Sequence, residues 1–473
     1  RLRDYNKAGC WALLLTIFCG LIPIQAIAQG LVVDGSTSTT LDTAANGVAI
    51  VNIANPNGKG LSHNSFSRFN VAPGGLILNN ADQTVVNTQL GGQILGNSRL
   101  TQPARVILNE VSSSHPSLLN GYTEVAGQGA DIVIANPNGI SVNGAGFINA
   151  PRVTLTTGSP QIDSLGDLTG FNVERGEISL FGTGLDSSAQ TATSIYTHFL
   201  NLNASLHAED LDIILGNNQI DYPGRKVTDS SNSGLNRVLL DSSALGGIYA
   251  GKITLVGTDQ GLGVNLPPEV IASSGDIQIS SDGRLVLQQL DAAGDIQLAS
   301  NDSIDSQDTL FNEGKILMSA GEAVTIAAGM VAASDLIEIS AGQFSNQGVL
   351  IAGLEADASL NGWGSISLQA DTIVNAGDLS ASHAIDMRGH QVSNNGLVNA
   401  GNLLSMDVVN LSNQSTLFSG GIMQLWVEDE LHNAQNATLF AVLDLTLAAD
   451  NSGTKTTSII NELGLMQTLR GDI

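Results

Sequence analysis

From Gly275 onward, apolar and polar residues alternate in short bursts that return at a nearly fixed interval. "GDIQIS" starts at Gly275, "GDIQLA" at Gly294 and "GKILMS" at Gly314. "LIEIS" follows at Leu336, "SISLQA" at Ser365, "AIDMRG" at Ala384, "LLSMDV" at Leu403, "IMQLWV" at Ile422 and "DLTLAA" at Asp444. Most steps are 19 to 22 residues. One of 29 contains "EADASLNGWG" (Glu355 to Gly364), which reads as an insertion. A period of two places every second side chain on one face of a strand, and the 3.6-residue stripe of a helix is missing from these bursts. A strand this short cannot bury its face alone, so the repeat predicts stacked coils. Each coil holds two or three strands of about five residues, paired in parallel with the next coil at about 4.8 Å. A leucine-rich repeat has a similar period but needs a Leu-x-Leu-x-x-Asn pattern that is absent here. Parallel crossovers are right-handed by default. The expected fold class is therefore all-β, a right-handed parallel β-helix.

A second marker keeps step with the first. Asparagine follows an apolar pair or its like at Asn346, Asn375, Asn394, Asn413 and Asn433, at intervals of 29, 19, 19 and 20. An amide at the same place on every coil has a donor and an acceptor with which to bridge from turn to turn.

Upstream the period blurs. Short strands and turns still dominate residues 29–270, but the segments Thr197 to Gly224 and Lys226 to Asn236 read as excursions from the coil, so short β elements outside the helix are expected there. A boundary falls near Pro267 to Ala272, leaving residues 271–473 as the regular array. The hexapeptide Ile-Ala-Asn-Pro-Asn-Gly occurs twice behind β-branched runs, with Asn55, Pro56, Asn57 and Gly58 in the first copy and Asn136, Pro137, Asn138 and Gly139 in the second. Proline fixes φ near −65° and suits the second place of a turn, with Asn on both sides and Gly fourth, so each copy predicts a type I turn between strands.

Composition supports many short strands. Aromatic residues make up 4% and charged residues 13%, both low for a globular enzyme, while there are 53 glycines. The first residues read as a targeting segment. Arg1, Arg3 and Lys7 precede the apolar run Cys10 to Ile24, and "AIA" offers cleavage between Ala28 and Gln29. Without residues 1–28 the chain keeps 15 of its 18 basic and 43 of its 44 acidic residues, a net charge of −28. Such a surface repels nucleic acid and anionic membranes. Both cysteines, Cys10 and Cys19, lie in the removed segment, so no disulfide is expected in the mature chain.

The region 30–265 resembles the two-partner secretion domain of filamentous-haemagglutinin-like exoproteins. The resemblance is carried by "NIANPNGKGLSHNSFSRFNVAPGGLILNN" (Asn52 to Asn80), "ARVILNEV" (Ala104 to Val111), "LNGYTEVAGQGADIVIANPNGISVNGAGFINAPRVTLTTG" (Leu119 to Gly158) and "ALGGIYAGKITLVGTDQGLGV" (Ala244 to Val264). Of that family's two signatures, Asn-Pro-Asn-Gly-Ile is intact at Asn136 to Ile140. The other, Asn-Pro-Asn-Leu, is reduced to Asn97 and Leu100, with Ser98 and Arg99 between them, which implies a less rigid turn. The resemblance implies a secreted or surface-located exoprotein, exported through the Sec route and then through a POTRA-bearing outer-membrane barrel, folding outside as a β-helix. Burying about 4 to 6 aliphatic side chains per coil gives on the order of 5–10 kcal/mol before entropy, enough to bias transit outward.

The leading role expected is an adhesin of haemagglutinin type, with a host receptor or glycan as target. The alternatives are a carrier for a contact-dependent toxin, a cytolysin, and a β-helical polysaccharide lyase. A lyase needs clustered carboxylates, yet Asp276, Asp295, Asp302, Asp305 and Asp308 are spread along the coils. The seven histidines show no metal-ligand spacing, and there is no phosphate loop. The chain is thus expected not to be an enzyme, to hold no metal or cofactor, and to bind no nucleic acid. "RGD" (Arg470 to Asp472) is a three-letter match to integrin ligands and carries little weight.

Overall fold

A computed structural model describes residues 30–473; the targeting segment and its cleavage pair, Ala28 and Gln29, lie outside the described residues. Strands of successive coils stack into two long sheets, of 27 and 18 strands, with a four-stranded antiparallel sheet and a two-stranded hairpin set against them. The molecule is a parallel β-helix, and no α-helix occurs among the described residues.

One coil shows the plan. Ile277–Ser281 and Leu285–Leu287 run in the larger sheet, and Gln289–Ala292 runs in the smaller. Each pairs in parallel and in register with its counterpart one coil on. Register stacks like on like. Ile253, Ile277, Ile296, Ile316, Ile337, Ile366, Ile385, Leu404, Met423 and Leu445 form one column, all buried. This column crosses position 270 with no change of sheet.

From Leu336 to Asn433, the first two strands of a coil merge into one of 11 or 12 residues, as in Ser365–Asn375, and the last coil splits them again into Leu445–Ala448 and Ser458–Asn461. Its side chains show where the corner is. Ile366, Leu368 and Ala370 point inward, as do Ile373 and Asn375, while Asp371 and Thr372 are both turned outward. The alternation slips by one residue there, because two consecutive outward residues carry the chain around a bend.

The blurred period upstream has a physical cause. Asp131–Ala135 is buried on both faces: Ile132 and Ile134 enter the main core, while Val133 and Ala135 enter a second core with Tyr196, Phe171 and Ile220. That second core lies under the antiparallel sheet of Ser159–Ile162, Leu168–Val173, Asn217–Asp221 and Lys226–Ser231. Leu76–Asn80 is likewise sandwiched, with Ile77 in a third core beside Ile94 of the hairpin Val85–Thr88 and Gly92–Leu95. Strands covered on both faces read as apolar runs rather than alternation.

The first coil is closed off by antiparallel pairs. Leu31–Val33 runs against Leu61–Phe69, and Thr40–Thr43 against Ala49–Asn52, which keeps the parallel edge from templating another chain. Asp34 ties this cap down by accepting bonds from Ser36 N and Oγ, Ser65 Oγ and Ser112 Oγ at 2.5–2.8 Å. Burial works to raise its pKa, but these hydrogen bonds outweigh it and hold the carboxyl well below the usual range.

Candidate functional site

The second hexapeptide ends the strand Asp131–Ala135. Asn136 N makes a last ladder bond to Thr156 O at 2.9 Å, and Pro137 has no N–H to continue. The Asn136 carbonyl accepts from Gly139 N at 3.0 Å, closing a β-turn with Pro137 and Asn138 at its centre. The fully buried Asn136 side chain works in both directions. Its Oδ1 accepts from Asn138 N at 3.0 Å, and its Nδ2 donates to His115 O at 2.9 Å and Ser117 Oγ at 3.0 Å. Asn138 Nδ2 donates to Ser113 O at 2.6 Å. Gly139 sits at φ +107°, which favours glycine, and a Cβ there would meet Glu177 O closely at 3.0 Å. Ile140 then starts the next strand, paired on one side with Ser117 and on the other with Ile178.

The altered signature builds the same device without proline. The Asn97 carbonyl accepts from Leu100 N at 3.1 Å and Oδ1 accepts from Arg99 N at 3.2 Å, while Nδ2 donates to Ile53 O at 2.9 Å. The turn is made by the asparagine and not by the residues that replace Pro and Asn.

The first hexapeptide corrects the expectation of a turn over Asn55 to Gly58. Here the turn comes two residues later. Gly60 N donates to Asn57 O at 2.9 Å, and Asn57 Oδ1 accepts from Lys59 N at 2.9 Å and Leu61 N at 3.1 Å. Asn57 is therefore the counterpart of Asn136, not Asn55. The residues after the motif decide this. Gly60 takes φ +83°, whereas the β-branched Ile140 of the other copy is held extended in a strand. Pro56 is buried and Gly58 exposed, and exposed Asn55 accepts from Thr101 N and Oγ1 at 2.8 and 3.0 Å. That bond brings the first hexapeptide against the Asn97–Leu100 turn.

In the array, the structure joins all five expected asparagines. Asn346, Asn375, Asn394 and Asn413 each donate from Nδ2 to the next asparagine's Oδ1 at 2.9 Å, ending on Asn433. They end the long strands, buried and facing inward. The run goes one coil further, to Asn461 at 2.8 Å, a position the repeat spacing does not predict. The signal is present in "SIIN", but a 28-residue step displaces it.

Ionisable groups outside the turns cluster under the antiparallel sheet. Burial pushes the Asp212 carboxyl up to about 6 and also raises the Tyr196 phenol that donates to it at 3.0 Å. The fold thus favours neutral Asp212, so this group's contribution is present below the ordinary carboxylate pKa and is lost as pH rises through about 6. His198 bridges three segments: Nδ1 meets Glu174 O at 3.1 Å and Nε2 meets Asp259 Oδ2 at 3.0 Å, while Asp259 Oδ1 accepts from Asn217 N at 3.0 Å. Both side chains are buried. The array carboxylates do turn work. Asp276 Oδ1 accepts from Asp295 N, and Asp295 Oδ1 from Lys315 N, both at 2.9 Å. No cluster of three or more metal-ligating side chains occurs among the described residues. Asp472 of the RGD tripeptide is held by its backbone to Leu445 N and Asp444 Oδ1, so it belongs to the last coil rather than to a loop apex.

Comparison with known proteins gives the family. The TPS secretion domain family matches residues 29–298, more than half of the chain. The chain belongs to the two-partner secretion exoproteins. As such it is a secreted protein, exported across the outer membrane. It is 37% identical over 418 residues to tRNA nuclease CdiA of Yersinia mollaretii, covering 84% of this chain and 14% of that protein. It is 37% identical over 423 residues to 16S rRNA endonuclease CdiA of Enterobacter cloacae, covering 88% of this chain and 12% of that one. The crystal structure of filamentous hemagglutinin secretion domain shares 31% identity, covers 68% of this chain and 99% of its own, and has a TM-score of 0.49.

These relatives correct the expectation that the protein is not an enzyme. Proteins built on this exoprotein segment are named nucleases, and the chain spans only 12 to 14% of their length. Scattered carboxylates and unclustered histidines in the segment describe the segment alone. The exclusion of nucleic acid drawn from its negative charge has the same limited reach.

Proposed function

We propose that this two-partner secretion exoprotein is the export and presentation segment of a contact-dependent toxin. Residues 29–270 act as the secretion domain and residues 271–473 begin a shaft that holds an effector away from the producing cell. The carrying observation is that similarity to the nuclease-named relatives covers 84 to 88% of the chain, well beyond the residues 29–298 matched by the secretion family, so the shaft is shared with them too. This reading replaces the adhesin as the leading role.

The partner is a POTRA-bearing outer-membrane barrel, which takes the chain before its coils have closed. The Asn97 and Asn136 turns serve as early folding points, because each lets one side chain close a turn and tie it to another segment. Each further coil then docks on the one before, with stability set by neighbouring interfaces. An acidic chain resists aggregation before export.

Co-culture tests the reading. Cells expressing the full reading frame and its barrel should stop the growth of neighbours that lack a matching immunity protein, and should not do so across a membrane filter. Attachment to target cells with no growth arrest would restore the adhesin.

A further inference from the structure

The three equivalent asparagine turns differ in the direction in which they reach. Asn97 Nδ2 donates to Ile53 O and Asn136 Nδ2 to His115 O, partners 44 and 21 residues earlier in the chain. Asn57 Nδ2 donates forward, to Gly166 O at 2.7 Å, across 109 residues. Gly166 tops the hairpin between Ser159–Ile162 and Leu168–Val173, where Asp163 closes the tip by accepting from Leu165 N and Asp167 N, both at 2.9 Å. Beside that bond, Lys59 Nζ meets Asp167 Oδ2 at 2.9 Å. The approach is close: a Cβ on Gly166 would lie 2.6 Å from Asn57 Nδ2, at a residue whose φ is +85°. From the other side Gln102 Nε2 donates to Asn57 O at 3.2 Å, and Arg105 Nη2 to Lys59 O at 2.8 Å.

We infer that the first copy of the repeated hexapeptide is a clasp, with Asn57 as its positioning residue, which closes only after the antiparallel sheet has formed. Its partner does not exist as a site until the hairpin at 163–167 has folded. Bringing the two together also closes the longest loop of the three, at the greatest entropic cost. The Asn97 and Asn136 side chains take their bridging partners from chain that precedes them, although the Asn136 backbone N–H also bonds forward to Thr156 O. The two copies of one hexapeptide therefore divide the work: the second helps to start the domain and the first locks it. The clasp concerns the order of folding. It rests on the export reading only for its value during secretion.

Refolding and unfolding kinetics of the chain separate the roles, since a contact absent from the transition state acts on unfolding alone. Asn57→Ala should unfold about five- to tenfold faster, with its folding rate within about twofold of the parent. Asn136→Ala and Asn97→Ala should slow folding instead. If Asn57→Ala does not yield folded protein, Asp167→Ala probes the same clasp from the hairpin and should speed unfolding, by a smaller factor. Slower folding by Asn57→Ala to the same degree as Asn136→Ala, or no change in either rate, overturns the clasp. Loss of barrel-dependent secretion is a separate readout. If Asn136→Ala secretes normally, the export role of the turns fails while the kinetic result stands.

Discussion

Replacing His198 with alanine should destabilise the secretion domain by about 3 kcal/mol, because a buried hydrogen-bond partner is removed and the Asp259 carboxyl it met at 3.0 Å stays buried. Asp259 is fully buried, and its carboxyl would keep only the bond from Asn217 N. The loss also opens space beside Phe199, whose ring stacks on the imidazole at 4.2 Å. The same bridge holds Glu174 and Asn217, where strands of the antiparallel sheet meet the coil, so the damage should spread to that sheet. His63 is the control. It meets Glu110 at 2.7 Å, but both side chains are about a third exposed, and such pairs are worth about 1 kcal/mol or less. Denaturant melts of the two variants should differ several-fold in their shift. Changing Asp259→Asn in the His198→Ala background should recover part of the loss, since a neutral amide is less costly to leave without its partner than a group that can ionise. Equal shifts for His198→Ala and His63→Ala would remove the buried pair from the account.

Asn394→Ala should cost about 3 kcal/mol, and the loss should be local. Asn394 Oδ1 accepts from Asn375 Nδ2, while its own Nδ2 donates to Asn413 Oδ1 at 2.9 Å and Thr416 O at 3.2 Å. Alanine leaves one Asn375 N–H without its buried acceptor and takes a donor from buried Asn413 Oδ1 and from partly buried Thr416 O, and a buried group left unpaired costs roughly 1–3 kcal/mol. Nearest-neighbour stacking confines the effect. Hydrogen exchange should therefore quicken at the coils carrying Asn375, Asn394 and Asn413 and stay unchanged near Ile253. Uniform exchange along the chain would mean that the column of amides is not a local element of stability.

Legibility in the sequence tracks the wetting of the sheets. Residues 277–448 face the core with one side and water with the other, so alternation and the Asn column can be read directly. Asp131–Ala135 and Leu76–Asn80 are covered twice, which erases the alternation and hides the coil beneath the excursions. The repeated hexapeptide misleads because the turn's position is set by the residues just after it, Lys59 and Gly60 in one copy and Ile140 and Ser141 in the other. Replacing Pro and Asn with Ser98 and Arg99 looks like a lost turn, yet the Asn97 side chain supplies the bonds. His198 gives no signal at all. Its meaning comes from Asp259, 61 residues away, and only the folded chain brings them together.

Secretion with and without the partner barrel shows directly whether this chain is exported by that route. Cells making the chain with its signal segment and a cognate POTRA-bearing barrel should release folded, protease-resistant protein into the medium. Without the barrel the protein should stay in the periplasm, and Asn136→Ala should lower release when the barrel is present. Equal amounts of the chain in the medium with and without the barrel would contradict the account.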